Sequence, residues 1–237
     1  MNILAYTLIV ISLGASLNAL AQVKVIGYEI PGLHEKGGQG VYDQILHKVA
    51  LSNGLATLET LPPIRAEKQF ENCNNCCLSP ANDNTEFYDY SNVVVSTPMN
   101  HAKVYIFSPP GKAAIEKVSD LKGKRVGARR GMLYGKTFDS AGLKPTMVGD
   151  ISSNIKKIKD GRLDAFVAFV PDAYIEFEAM GMKPLPHVKN KPVAVHADAL
   201  VCRGVSKDFL KKINAGIKAL NKSGELKAIL GDGYVAP

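Results

Sequence analysis

The feature of this sequence that most constrains its fold is a regular alternation of short β-type runs with amphipathic helical runs. From residue 23 to residue 78 the order is strand, helix, strand, helix and strand. The first helical run places Val41, Ile45 and Val49 on one face, which is the spacing of a helix that packs on a sheet. Such alternation predicts βαβ units, a mainly parallel sheet and an α/β fold.

The rhythm changes in the middle of the chain, where two extended runs, 93–95 and 104–107, follow each other without a helix between them. A second α/β set then begins, and we interpret the two extended runs as a crossing between two lobes. A length of 237 residues with 46% hydrophobic side chains is enough for two such cores. The segments predicted after the crossing are strands 125–128, 165–170 and 199–202, helices 132–140, 152–160 and 172–180, and a last helix capped by Ser206.

The N-terminal segment is typical of an export signal. Residues 4–20 contain no charged side chain, and Ala19-Leu20-Ala21 matches an A-x-A cleavage site. We therefore predict a signal peptide at 1–21, cleavage after Ala21 and a periplasmic protein. The alternative is a membrane anchor, but Ser, Gly and Asn interrupt the apolar run, which is short for a span of about 20 residues.

The charge balance excludes some partners. Lys and Arg number 29 against 22 Asp and Glu, a formal charge of +7, which favours anionic partners in general. The basic residues occur in ones and twos without a nucleic-acid-binding motif, so we predict solvated faces and no nucleic-acid partner. We also expect a monomer.

The four cysteines are Cys73, Cys76, Cys77 and Cys202. Export makes them candidates for disulfides, with three possible pairings if all four are bonded. A Cys-x-x-Cys-Cys cluster without a second pair at finger or ribbon spacing does not favour zinc.

Three stretches resemble one known family: DLKGKRVG at 120–127 leading to Gly131, KDGRLDAF at 159–166, and IKALNKSGELKAIL at 217–230. In this order, behind an export signal, the chain resembles the type II periplasmic solute-binding proteins, in particular family 3, which serves ABC transporters for amino acids. The resemblance implies two lobes, each a mainly parallel sheet flanked by helices, joined by crossing hinge strands. We expect residues 22–106 and 199–237 in the first lobe and 107–198 in the second.

The resemblance also implies a ligand in the cleft between the lobes, which closes by hinge motion. Strand ends face such a crevice, and a helix beginning near Met132 after Gly131 would offer backbone N–H groups to an anion. Arg129, Arg130 and Tyr134 flank Gly131. We therefore expect a carboxylate here; the alternative is that Gly131 only shapes a turn.

Two positions depart from the family pattern. Amino-acid binders of the family hold the ligand carboxylate with an Arg shortly after the third strand, and residues 83–91 contain none. Phe169 stands where the family has an Asp for the ligand amine. A standard α-amino-acid ligand is therefore in doubt.

Other side chains are candidates for these roles. Arg65, at a strand-to-helix junction, is either a carboxylate clamp or a surface residue. Tyr28 is expected as an aromatic wall, Glu29 as an amine acceptor and Ser79 as a hydrogen-bonding group at the end of the third strand. We interpret Asp172 as a helix N-cap in preference to a ligand-binding group.

The resemblance also places the strand with Cys202 beside the third strand, which carries Cys76 and Cys77. This makes a cross-strand disulfide an option, and Cys73 with Cys76 is the competing close pair.

The leading hypothesis is thus a binding protein without a cofactor, which captures a small polar, amino-acid-like and carboxylate-bearing solute and delivers it to the membrane permease of an ABC transporter. One alternative is the ligand-binding component of a sensory system. Another is an enzyme on the same scaffold, similar to cyclohexadienyl dehydratase, but Glu29, His101 and Asp172 form no catalytic motif and G-x-S-x-G is missing.

Overall fold

The computed structural model describes residues 22–235, so the signal peptide predicted at 1–21 lies outside the described residues. The strands are β1 (Val23–Tyr28), β2 (Ala56–Leu61), β3 (Cys76–Ala81), β4 (Val94–Val95), β5 (Asn100–Phe107), β6 (Val126–Arg129), β7 (Thr146–Val148), β8 (Ala165–Val170) and β9 (Ala194–Arg203). The α-helices are α1 (Val41–Leu46), α2 (Pro63–Glu71), α3 (Lys136–Asp139), α4 (Ile151–Lys159), α5 (Asp172–Ala179), α6 (Lys207–Ser223) and α7 (Glu225–Leu230). No helix within this part of the chain is both long and apolar enough to cross a membrane.

The strands form one curled sheet in the order β2-β1-β3-β9-β5-β8-β6-β7, with β4 on β9. β1 is parallel to β2 and β3, and β6 is parallel to β7 and β8. The two parallel groups are linked by antiparallel pairs that involve β5 and β9. The predicted α/β class and two parallel groups are therefore confirmed.

β5 and β9 are the strands that connect the two lobes. The end of β9 pairs with β3, where Cys202 lies opposite Cys77, and its beginning pairs with β5, where Ala194 lies opposite Val104. We call the part built on β1–β4 with α1, α2, α6 and α7 the first lobe, and the part built on β6–β8 with α3–α5 the second lobe. The predicted lobe boundaries, at 106/107 and 198/199, fall inside the two crossing strands and stay predictions.

The first lobe has a single core. β1 and β3 contribute side chains that are completely buried, and the apolar faces of α1 and α6 cover the sheet. α6 begins where the Ser206 hydroxyl accepts the Phe209 N–H over 3.1 Å, and ends at Gly224, whose φ of 83° is left-handed. This is the predicted cap and buried face.

The second lobe has a core on each face of its sheet. In β8 all six residues are buried, with Ala165, Val167 and Phe169 on one face and Phe166 and Ala168 on the other. A strand covered on both sides is an uninterrupted apolar run, which is how 165–170 reads in the sequence.

The cysteines form two disulfides in the first lobe, Cys73–Cys76 and Cys77–Cys202. The second joins β3 to β9, so the expectation that the Cys202 strand lies beside the third strand is confirmed. Both options left open by the sequence are present together.

The helix predicted at 132–140 is wrong in its first half. The structure has only the single turn of α3 from Lys136, because Gly135 has a φ of 91° and Tyr134 is buried, its hydroxyl accepting the Arg129 N–H over 3.0 Å. The strands differ in three further ways. β7 was not predicted because it has only three residues, β5 begins at Asn100 instead of 104, and β9 begins at Ala194 instead of 199.

Candidate ligand-binding site

The candidate site lies between the lobes, where several strands end. Tyr28 is the last residue of β1, and Pro80 lies near the end of β3. From the second lobe, Gly131 follows β6 and Asp172 follows β8. The carboxyl ends of strands in an open α/β sheet meet at such a crevice.

These strand ends enclose a cavity. The volume within which the centre of a water-sized molecule fits is about 30 Å³. Both lobes and both crossing strands contribute to its wall. The lining residues are Tyr28, Ile30, Leu33, Glu67, Pro80, Tyr88, Ala102, Gly131, Met132, Leu133, Phe169, Asp172, His196 and Asp198.

The first acid of the cavity, Asp172, is buried and has a raised pKa. It is 5% exposed and is the first residue of α5, whose N-cap is Pro171, so the N-cap role favoured from the sequence is wrong. Burial, with the neighbouring Asp198 carboxylate, raises the pKa of Asp172 to about 6, against smaller opposing effects of its own backbone N–H, Arg129 and His196. Among the described residues, the ion pairs do not include Asp172.

The second acid, Asp198, belongs to a hydrogen-bonded chain along the crossing strand β9. Its Oδ1 lies 2.6 Å from Nδ1 of His196, and its Oδ2 accepts the Tyr42 hydroxyl. His196 Nε2 lies 3.3 Å from the Tyr88 hydroxyl oxygen. These hydrogen bonds hold the His196 imidazole and the Asp198 carboxylate in the wall of the cavity.

The third acid, Glu67, projects from α2 in the first lobe. It accepts hydrogen bonds from the hydroxyls of Tyr28 and Tyr90, the latter at 2.9 Å. Burial raises its pKa, and these two hydrogen bonds oppose the rise. Glu67 is thereby held in place by two phenol groups.

Two stacked pairs of aromatic rings contribute to the wall. Tyr88 stacks on Tyr90 with ring centres 4.9 Å apart, and Phe169 stacks on Tyr134 at 5.5 Å. The edge of His196 meets Phe169 at 5.7 Å. The lining rings of Tyr88 and Phe169 are thus each supported by a stacked ring that does not line the cavity.

The lobes touch beside the cavity. Arg129 Nη2 donates to the Glu29 carbonyl oxygen over 2.7 Å. Gly32 lies so close to α5 that an added Cβ would be 2.5 Å from Ile175 Cγ2. At Gly131 an added Cβ would be 3.0 Å from Cγ1 of Ile64. The lobes are therefore closed on each other in this structure.

Of the site residues chosen from the sequence, four line the cavity: Tyr28, Gly131, Phe169 and Asp172. Tyr134 lies behind Phe169, and Ser79 is completely buried. The Glu29 carboxylate pairs with Lys36 at 3.2 Å outside the cavity.

The arginines chosen from the sequence lie elsewhere. Arg65 is exposed in a surface depression of the first lobe beside Lys68 and Asn72, which is the surface position that the sequence left open. Arg129 and Arg130 line a neighbouring depression with Glu29.

The turn at Gly131, which we expected to bind an anion, is not followed directly by a helix. The Arg130 N–H donates to Val148 and the Met132 N–H to Arg129, and the helix does not begin there. The turn shapes the wall of the cavity through Gly131, Met132 and Leu133.

Sequence reasoning missed Glu67, Tyr88, His196 and Asp198. For the last two there was a signal, since His and Asp two residues apart in a β-run share one face. Glu67 lies four residues after Pro63 and three before Phe70, which is the buried face of α2. Tyr88 belongs to an irregular segment and has no comparable signal.

A second His–Asp pair lies behind the cavity. His34 Nδ1 is 2.6 Å from Asp43 Oδ1, and His34 Nε2 is 3.0 Å from Ser79 Oγ. Although this order of atoms matches a hydrolase triad, the three residues are at most 2% exposed and do not line the cavity. Asp43 also accepts the Glu35 and Gly40 N–H groups, so the array ties the loop after β1 to β3.

Comparison with known proteins identifies the architecture. The sequence matches no protein-family model and no curated protein. In structure it is similar to the GluR0 ligand-binding core from Nostoc punctiforme in complex with L-glutamate, with a TM-score of 0.71, 16% identity, and 90% of this chain and 99% of that chain covered. The chain has the two-lobed binding-protein fold.

Two further structures with this fold are of proteins that bind amino acids. A substrate-binding protein of an ABC uptake transporter from Streptococcus pneumoniae, with bound histidine, has a TM-score of 0.69 and 16% identity, covering 91% of this chain and 95% of that chain. The arginine-, lysine- and histidine-binding protein ArtJ from Geobacillus stearothermophilus has a TM-score of 0.65 and 17% identity, covering 90% and 95%. At these identities the likeness establishes the two-lobed fold.

Proposed function

We propose that this chain is an exported solute-binding protein that captures a small molecule between its lobes and delivers it to the membrane permease of an ABC transporter. The observation that carries the proposal is the cavity, because its wall combines strand ends of both lobes with both crossing strands. Rotation of one lobe relative to the other about β5 and β9 opens and closes a cavity of this kind. One of the similar structures is described as the substrate-binding protein of an ABC uptake transporter.

In this proposal the lobes are residues 22–106 with 199–237 and residues 107–198, and β5 and β9 are the hinge. Loss of the first 21 residues during export leaves Gln22 as the N-terminus, which N-terminal sequencing of protein recovered from the periplasm tests. A start elsewhere, or retention in the membrane fraction, contradicts this processing.

The binding step is tested by thermal shift and calorimetry with amino acids, amines, organic acids and sugars. A ligand that binds only the folded protein at 100 times its Kd raises stability by about 2.7 kcal/mol. We expect one chemical class to raise the melting temperature and to be recovered unchanged by mass spectrometry. Consumption of the compound identifies an enzyme instead, and no shift across the panel contradicts solute capture.

A matched pair of variants localises the binding. Leu133 and Val195 are apolar residues of the second lobe and its crossing strand, 44% and 43% exposed, and only Leu133 lines the cavity. Leu133→Trp is expected to abolish binding, whereas Val195→Trp leaves it intact. Loss of uptake of the radiolabelled solute in cells that lack the protein then tests the transport role.

A further inference from the structure

The side chains of the cavity wall include more acidic than basic groups. Three carboxylates line it, on Glu67, Asp172 and Asp198, and among its fourteen lining residues there is no Lys or Arg. His196 lies against Asp198 at 2.6 Å, while Glu67 has only phenol partners and Asp172 takes part in no ion pair of the described residues. A buried carboxylate of this kind is stabilised by a cation.

The remaining wall fits the body of an organic cation. Phe169 and Tyr88 are supported by stacked rings behind them, so each ring is held firmly against the cavity. Ring faces attract ammonium groups, and the attraction is stronger where water is excluded. Leu33 and Met132 add apolar surface next to these rings.

Most of the groups that would recognise a carboxylate donate hydrogen bonds within the chain. The Arg129 guanidinium donates through Nε and Nη2 to the backbone carbonyl oxygens of Gly149 and Glu29, while its buried Nη1 has no hydrogen-bond partner among the described residues. On either side of Gly131, the Arg130 and Met132 N–H groups donate within the chain. An anion in the cavity would face three carboxylates, and Arg129 is not among the residues that line the cavity.

We propose that the cavity selects a small organic ammonium compound that carries no carboxylate, with Asp172 facing its charge and Phe169 and Tyr88 packing against its body. This inference rests on the proposed solute-binding function and narrows it to one substrate class. It also separates this chain from the similar structures that hold glutamate or histidine.

The test compares amines with the amino acids from which they differ only by the carboxylate: isoamylamine with L-leucine, phenethylamine with L-phenylalanine, histamine with L-histidine, and cadaverine with L-lysine. Each is titrated by calorimetry into the protein expressed from its full sequence, with isoamyl alcohol as a neutral control. We expect at least one amine to bind at least 10-fold more tightly than its amino acid, and the alcohol not to bind.

Two variants assign the selectivity to Asp172. Asp172→Asn is expected to weaken binding of the best amine at least 10-fold, while Glu178→Gln, which removes an exposed charge from the same helix, leaves it unchanged. A melting temperature of Asp172→Asn at or above that of the unmodified protein shows that the loss is not a folding defect.

The outcomes separate the two proposals. Equal or tighter binding of an amino acid, or binding of an organic acid or sugar alone, overturns the amine inference and leaves solute capture intact. If Asp172→Asn binds the best amine with unchanged affinity, the proposal that Asp172 faces the charge of the ligand is overturned. No binding by any compound overturns solute capture itself.

Discussion

The guanidinium of Arg129 donates through Nη2 to the backbone carbonyl oxygen of Glu29 over 2.7 Å and so joins the two lobes. Arg129 ends β6 in the second lobe, and Glu29 follows β1 in the first. A further bond of 3.1 Å from Nε to the Gly149 carbonyl oxygen orients the side chain. Arg129 is 7% exposed, so this contact is shielded from solvent.

Replacing Arg129 with Ala is expected to favour the open arrangement of the lobes. A hydrogen bond from a charged donor contributes about 1.5–3 kcal/mol, which corresponds to roughly 10-fold or more in the closed-to-open ratio. Small-angle scattering should show a larger radius of gyration for the variant. Arg130→Ala is the control, because Arg130 is exposed and adjacent; an equal effect of both changes would contradict a specific latch.

The fold was predictable because its signals are local. The apolar run of β8 and the cap at Ser206 act within a few residues, and both appear where the sequence places them. The three-residue β7 and the turn at 132–135 were not predictable, since the first is too short for a pattern and the second depends on burial of Tyr134.

The site was only partly predictable, because it is made by the approach of distant segments. Tyr28 and Asp172 follow strands, and strand ends can be found from a sequence. Glu67 reaches the cavity from a helix face, and Tyr88 from an irregular segment. The two alternatives for Arg65 stayed open because a strand-to-helix junction does not determine which side of the helix faces the cleft.

Gly32 is expected to be essential for the contact between the lobes. A Cβ at this position would lie 2.5 Å from Ile175 Cγ2, which is too close for two carbons that are not bonded to each other or to a common atom. Gly32→Ala should therefore enlarge the radius of gyration and weaken ligand binding, and adding Ile175→Ala should restore both.

The control for Gly32 is Gly38→Ala in the same loop. Gly38 has a φ of 67°, close to the 76° of Gly32, but an added Cβ would have nothing within 4 Å. A left-handed backbone costs roughly 1 kcal/mol for a residue with a Cβ, so both variants lose some stability. If Gly38→Ala opens the lobes as much as Gly32→Ala, the contact with Ile175 is not responsible.

The two disulfides are expected to stabilise the fold unequally. Cys77–Cys202 closes a separation of 125 residues, whereas Cys73–Cys76 closes a separation of 3. Loop-closure entropy then gives about 5 kcal/mol for the first and about 2 kcal/mol for the second. Chemical denaturation of the Cys77→Ala/Cys202→Ala and Cys73→Ala/Cys76→Ala double variants measures the difference, and equal losses would contradict this account.

Asp172 is expected to make the unliganded protein more stable as the pH falls from about 6 to about 4. Its pKa is about 6 when folded, against 3.8 for an unperturbed Asp. Between these values the folded state binds a proton that the unfolded state does not, so the free energy of unfolding decreases as the pH rises. The difference of the two pKa values corresponds to about 3 kcal/mol.

Other acids set the limits of this window. Glu67 has a raised pKa and acts in the same direction, whereas Arg125 lowers the pKa of Asp164 to about 2, so that its stabilising ion pair is lost only at lower pH. Melting temperatures of the unmodified protein and of Asp172→Asn, measured from pH 4 to 7, isolate the contribution of Asp172.

We expect Asp172→Asn to melt several degrees higher than the unmodified protein at pH 7 and to show a flatter dependence on pH, with Glu178→Gln behaving like the unmodified protein. The buried carboxylate then lowers stability at neutral pH, which is the behaviour of a group retained for binding a cation. A lower melting temperature for Asp172→Asn at pH 7 would show instead that the carboxylate stabilises the empty protein, and the cause assigned to its raised pKa would be wrong.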